Sequence, residues 1–153
     1  MRVVVNTSPL IALERIGQLE ILKRLFGTVI RPQSVLDELN AGRGTYDISP
    51  LLEKADWIMT EPDPAEMILR SELGAGETAV IALAVKTRAD LVILDDLQAR
   101  LVAQTQGLAI TGTLGVLLAA EQAGLVADMK GLLRRLQDAG FRIPAFLLQD
   151  YGI

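Results

Sequence analysis

Asn6, Glu38, Glu77, Asp95 and Asp96 are the residues of this chain whose types and spacing could do chemistry together. Asn6 ends the stretch VVVN and is followed by Thr7, Ser8 and Pro9, while Asp95 and Asp96 follow LVIL in LVILDDLQAR. Both apolar runs read as short strands leading into helices, so both tips can share one edge of a sheet. Helix geometry selects the two glutamates. At about 100° per residue, Val35, Leu36 and Leu39 define an apolar arc, with Glu38 on its flank, roughly 110° from the centre, and Asp37 nearly opposite. Glu77 precedes Val80 and Ile81 at helical spacing and shares their face.

Acids leaning toward the protein body are unfavourable unless paired, hydrogen-bonded or bound to a cation. Oxygen-only ligands of this kind suit Mg²⁺ or Mn²⁺. Several carboxylates gathered without metal would repel one another, and some would take up a proton. With metal, they could activate a water and steady the charge of an in-line phosphoryl displacement. That is a route to RNA cleavage that needs no histidine.

The composition points the same way. The chain has 153 residues and contains neither cysteine nor histidine. Thiol chemistry, the usual zinc sites and Ser-His-Asp triads are therefore excluded. Catalysis would rest on carboxylates, hydroxyls, Lys or Arg. The length fits one domain, residues 1–153, large enough to bury roughly 70% of its unfolded surface without staples. A net charge of −4 argues against a general polyanion binder but leaves room for a local basic rim. The N-terminus MRVVV is too short for a secretory signal, and no apolar run is long enough to span a bilayer, so a cytoplasmic protein without a membrane partner is expected.

Each residue also has an ordinary reading. Glu77 suits the first turn of a helix, where the dipole favours an acid. Glu38 reads as a solvated helix residue. Asp96 and Arg100 stand at helical i, i+4 spacing, as a surface ion pair would. Asp95 or Asp96 can cap the helix that follows, and Thr7 and Ser8 can cap the first helix with Pro9 at its first position. What sets the metal reading apart is the joint placement on one sheet edge.

The elements that must position these groups alternate along the chain. Strands are predicted at 3–5, 28–30, 57–60, 91–94 and 108–111. Helical spacing runs through Leu10 and Leu13, through Leu19, Leu22 and Phe26, through Val35 and Leu39, and through ETAVIALAVKTRA. Gly27 closes the second helix, Pro32 opens the third, and Gly74 to Gly76 precede the long one. NAGRGTYD and EPDPAE are the likeliest-looking loops by composition, being rich in Gly, Pro and Asp. After Thr113 the chain turns helical: TLGVLLAAEQAG, LLRRLQDAG and PAFLLQDYG. This alternation predicts an α/β fold with a mainly parallel five-stranded sheet flanked by helices.

NTSPLI at the first strand tip, DEL in the third helix, GAGETAVIALA on the long helix and LDD-x-x-AR after the fourth strand resemble the PIN domain. The order is similar to a PIN-like branch related to the VapC toxins of toxin–antitoxin pairs, and the likeness covers almost the whole chain, TGTLGVLL included. The resemblance implies a three-layer α/β fold and a metal-dependent endoribonuclease using Mg²⁺ or Mn²⁺. It further implies homodimers and, for toxin members, a neutralising antitoxin protein. Carried over by motif, the acidic site comprises Asn6, Glu38, Glu77 and the Asp95–Asp96 pair, with Asp96 the better match to the family's strand-tip acid. Thr7 and Ser8 match hydroxyls beside the first acid, and Thr111 a polar group near the last strand tip. Two positions depart from the pattern: Asn6 stands where Asp is usual, and Glu77 where a shorter Asp is usual. An amide oxygen can ligate Mg²⁺ but is neutral and cannot act as a base.

Arg43 and Arg100 are candidate phosphate contacts in this reading. An alternative is a degenerate domain, without nuclease activity, that binds RNA or protein; the neutral Asn6 motivates it. An aspartyl phosphotransfer site at LDD is a third reading, weakened because no Lys stands at a following strand tip. The C-terminal IPAFLLQDYGI offers Phe146 and Tyr151 either to a partner or to packing on the chain's own body.

Overall fold

A computed structural model describes residues 1–42, 54–65 and 73–153. Five strands form one sheet: β1 (Val3–Val5), β2 (Val29–Pro32), β3 (Ile58–Glu61), β4 (Leu91–Ile93) and β5 (Ile110–Thr111). Their order is β3-β2-β1-β4-β5, and every pairing is parallel. Among the described residues eight helices flank it: α1 (Thr7–Arg15), α2 (Glu20–Phe26), α3 (Gln33–Ala41), α4 (Ala75–Thr87), α5 (Leu97–Thr105), α6 (Thr113–Gln122), α7 (Met129–Asp138) and α8 (Ala145–Asp150). The three-layer α/β architecture expected from the sequence is the one observed.

The central strands have no polar face. Val3, Val4 and Val5 are wholly buried, as a strand covered by helices on both faces must be. Helix α4 packs against β1, β2 and β4 and is apolar nearly all round, with Ala79, Val80, Leu83 and Ala84 buried. Helix α7 is instead amphipathic. Met129, Leu132, Leu133 and Leu136 face the core, and Arg134 and Arg135 face water.

The chain runs outward from β1 to β2 and β3, then returns to the other side of β1 as β4 and β5. The reversal falls between β1 and β4. Val3, Val4 and Val5 pair with Leu91, Val92 and Ile93, so the two strands end level. The Asn6 amide continues the ladder by donating to the Ile93 carbonyl at 3.0 Å. Asn6 and the Asp95–Asp96 pair are thereby carried to the same sheet edge, at the crevice where α/β folds place their sites.

Several local expectations need correction. Strand β5 is two residues long rather than four, and β2 extends to Pro32, which is also the N-cap position of α3. Helix α4 begins at Ala75 with Gly74 as its N-cap, so Gly76 lies inside the helix instead of before it. Helix α1 begins at Thr7 with Asn6 as N-cap, Pro9 is its third residue, and no side chain caps it. Thr7 and Ser8 are therefore not capping hydroxyls. The EPDPAE stretch is tied down in part, since Glu61 belongs to β3 and Asp63 accepts from the Ser34 amide at 3.0 Å and from the Ser34 hydroxyl. At the C-terminus Leu147 is buried and the Tyr151 hydroxyl donates to Glu121, whereas Phe146 is 67% exposed.

Candidate functional site

The Asn6 side chain is only 4% exposed, and its Oδ1 is buried with no hydrogen-bond partner. A buried acceptor left unpaired is unfavourable by roughly 1–3 kcal/mol, so it marks a place where something is missing. Asn6 lines a cleft of about 380 Å³ together with Thr7, Ser8, Glu38 and Glu77. Four elements supply these five residues: the tip of β1, the first turn of α1, α3 and the first turn of α4.

Glu38 is held by donors from two helices. Its Oε2 accepts from the Thr7 hydroxyl at 2.7 Å, and its Oε1 accepts from the Gly76 amide at 2.9 Å. Gly76 is the second residue of α4, so its N–H is one of the amides that helix geometry leaves without a partner. Glu38 thus caps α4 from a different helix. The approach is close: a Cβ on Gly76 would lie 2.5 Å from Glu38 Oε1. Thr7 is explained by this bond, not by capping its own helix.

Glu77 follows Gly76 and is half-buried. Burial holds its carboxyl above the usual value, and the charges of Asp96 and then Glu38 push in the same direction, against a backbone hydrogen bond at Gly74. The three acids therefore feel one another. Because the folded value lies above the unfolded one near 4.5, the contribution of Glu77 to stability is fully present below that pH and is lost as pH rises through the folded value. In thermal unfolding with EDTA, the Glu77→Gln variant should gain on the wild type as pH climbs above 4.5. Parallel pH profiles for the two proteins would show that Glu77 carries no such strain.

The two strand-tip aspartates do different work. Asp95 accepts from the Thr113 amide and hydroxyl, both at 2.7 Å, and from the Ser8 hydroxyl at 3.5 Å, tying β4 to the starts of α6 and α1. Asp96 is the N-cap of α5, accepting from the Ala99 amide at 2.9 Å, and is exposed. Neither aspartate lines the cleft itself. The expected Asp96–Arg100 ion pair is replaced by another arrangement: a Cβ on Gly112 would meet Arg100 Nη1 at 2.9 Å and Asp95 Oδ1 at 2.8 Å, so the guanidinium lies over Gly112. Thr111 ends β5 with its hydroxyl against Gly115, away from the cleft. Arg43 lies outside the described residues.

Spacing alone did not single out five participants. The Gly76 amide is a backbone group, visible in the sequence only as the second glycine of GAGE. Thr113 is fully buried, a polar residue whose signal is its place in the TGT turn. Arg15, Leu136 and Phe141 line the same cleft, 126 positions apart at the extremes in sequence and joined only by folding.

As a test of fit for a divalent ion, the donor set is all oxygen, which suits Mg²⁺ or Mn²⁺, and the orphaned Asn6 Oδ1 lacks a partner that a cation would supply. As the carboxylates stand, however, no three acidic side chains among the described residues are grouped closely enough to hold a metal. The reason is visible in their bonds: Glu38 is turned to Thr7 and Gly76, and Asp96 to Ala99. The chemistry fits, with the acids resting on protein donors.

A family model described as a PIN domain matches residues 2–151. No curated protein shows significant sequence similarity to the chain. Among solved structures, a PilT N-terminus domain protein, SSO1118, from the hyperthermophilic archaeon Sulfolobus solfataricus P2 is similar in fold, with a TM-score of 0.56. The two are 15% identical, and the likeness covers 78% of this chain and 93% of that one. At such identity the likeness speaks for the fold. The parallel sheet, the acids at its β1–β4 edge and the family match over nearly the full length lead to one conclusion: the chain belongs to the PIN domain family.

Proposed function

We propose that this protein is a metal-dependent endoribonuclease, the toxin component of a toxin–antitoxin pair. The observation that carries the reading is the buried, unpartnered Asn6 Oδ1, in a cleft shared with Glu38 and Glu77, where the charge of Asp96 also reaches Glu77. PIN domains generally bind divalent metal ions. In this chain Asn6, Glu38, Glu77 and Asp96 would hold Mg²⁺ or Mn²⁺. When bound, such an ion supplies acidity to a hydrolytic water and positive charge to a phosphodiester transition state. Glu77 would complete the shell or orient the water, while Thr7 and Gly76 hold Glu38 in position. Asp95 orients the edge through Ser8 and Thr113 instead of facing the reacting atoms.

The family match over residues 2–151 supports a single domain. Among the described residues no helix is long and apolar enough to cross a membrane, which fits the cytoplasmic, membrane-free protein we propose. The homodimer and the antitoxin belong to the same reading. Leu97 and Leu101 stand one turn apart on α5, both exposed, as apolar surface available to a second chain.

The deciding experiment is cleavage of RNA with Mn²⁺ by the wild type and by Asp96→Asn. Asparagine is as good an N-cap as aspartate, so α5 is kept and only the charge is removed. Activity should fall by at least tenfold in the variant; equal rates would refute the assignment.

A second reading has its own observation. Asn6 is neutral where its family usually carries an acid, and no three acids among the described residues stand grouped for metal. A degenerate domain that binds RNA or protein without cutting would show no Mn²⁺ heat in calorimetry, whereas an enzyme would show binding that Glu38→Gln abolishes.

A further inference from the structure

The cleft has lining residues that metal chemistry does not use. Besides Asn6, Glu38 and Glu77, the cleft is lined by Ile11, Leu136, Ala139 and Phe141, with Arg15 among them. The lining thus joins anionic and polar groups to apolar ones and a guanidinium.

Phe141 is held there by backbone geometry. Helix α7 ends at Asp138; Ala139 is its C-cap, Gly140 follows at φ +89°, and Phe141 comes next. The Gly140 amide donates to the Gln137 carbonyl at 2.9 Å, and the Phe141 amide to the Leu136 carbonyl at 2.9 Å. This pair of bonds is the Schellman closure, which also brings the residue after the glycine against the third from the helix end. Here those residues are Phe141 and Leu136, and both line the cleft. The sequence LQDAGF therefore fixes an aromatic ring in place beside the site. Arg15 Nη1 donates to the Ala139 carbonyl at 3.5 Å, so the end of α1 also meets the end of α7.

The dimensions limit what can enter. At about 380 Å³ the cleft lies near the small end of ligand sites, roughly 300–1,000 Å³. One nucleotide unit fits; a stacked base pair does not. A base lying on the ring must be unstacked, which single-stranded RNA allows and a duplex forbids.

We propose that these residues form a nucleobase subsite. One nucleotide of single-stranded RNA lies in the cleft with its base on Phe141 and its backbone directed to the acids, with Arg15 the cation offsetting their field. The subsite rests on the ribonuclease reading and adds to it a residue of this chain, Phe141, that selects by stacking.

The test is fluorescence anisotropy of the full chain with a short labelled single-stranded oligoribonucleotide, in EDTA so that nothing is cut. Phe141→Leu should weaken binding roughly 5- to 100-fold, the range that loss of one base–aromatic stack implies. Phe141→Tyr, which keeps the stack, should stay within about threefold of the wild type. Circular dichroism spectra matching the wild type would show that both variants fold. An unlabelled duplex of the same sequence should compete poorly. Equal affinity of Phe141→Leu and wild type, equal losses in the leucine and tyrosine variants, effective duplex competition or no binding by the wild type would each overturn the subsite. Cleavage with Mn²⁺, measured in parallel, separates the two readings. Cutting with Phe141-independent affinity sinks the subsite alone, and Phe141-dependent binding without cutting supports the subsite and sinks the nuclease.

Discussion

Replacing Gly76 with alanine should lower Mn²⁺-dependent RNA cleavage by about 100-fold while leaving the fold standing. The added Cβ would lie 2.5 Å from Glu38 Oε1 and 2.7 Å from the other carboxylate oxygen, closer than real atoms approach. The atoms it meets are the end of a flexible side chain, so Glu38 swings away and the backbone need not move. Two bonds go with it, from the Gly76 amide and the Thr7 hydroxyl. Loss of the α4 cap costs about 1 kcal/mol, and alanine inside a helix returns a similar amount relative to glycine. Thermal unfolding should therefore stay within a few degrees of the wild type. Function is another matter, because a displacement of about 1 Å at a reacting site can cost 100-fold. Cleavage rates and unfolding midpoints measured side by side decide it: full activity in Gly76→Ala would mean that the position of Glu38 does not matter to catalysis.

The Asn6→Asp variant should become metal-dependent for its stability. Asn6 is almost wholly buried, and its oxygen has no donor to bond. A carboxylate there would be buried without a partner, near Glu38 and Glu77 in the same cleft. An uncompensated buried charge costs about 3–5 kcal/mol. For a chain of this length that corresponds to a fall in midpoint of roughly 6–20 °C. In EDTA the variant should unfold earlier than the wild type, and the gap should widen as pH rises, because an acid kept neutral by burial is penalised once it must ionise. Mn²⁺ should close the gap, since the added acid supplies a charged ligand, and its affinity by calorimetry should rise at least tenfold. A variant that Mn²⁺ fails to stabilise would place position 6 outside the metal site and favour the non-catalytic binding module.

Much of the fold was legible because burial writes a pattern into sequence. VVV and LVIL have no polar face, so they could only be central strands, and both are. Helices α1 to α4 fall where apolar spacing placed them, with ends shifted by a few residues as caps rather than patterns decide. Strand β5 was overdrawn: the Ala109 carbonyl still accepts from the Val92 amide at 2.9 Å, but only Ile110 and Thr111 are strand residues. The site was half legible. Glu38 and Glu77 were found from helix angles, and they do share one cleft with Asn6. The roles of the small polar residues were misread. Thr7 and Ser8 look like caps locally, yet their hydroxyls bond to Glu38 and Asp95, acids 31 and 87 residues away.

What the sequence determined by itself is therefore the set of groups available. It has no histidine or cysteine, a few acids at strand tips and helix starts, and an alternation that folds them onto one sheet edge. Local chemistry such as periodicity, caps and the Gly140 turn is encoded within a few residues and can be read there. Only the tertiary structure decided which atoms meet. It set Glu38 on the amide of a glycine in another helix, gave Asp95 to Thr113, left the Asn6 oxygen without a donor and brought Phe141 into the cleft that Glu38 and Glu77 line. Hydrogen bonds depend on separations of a few tenths of an ångström, and those distances are fixed by the packing of whole helices on the sheet.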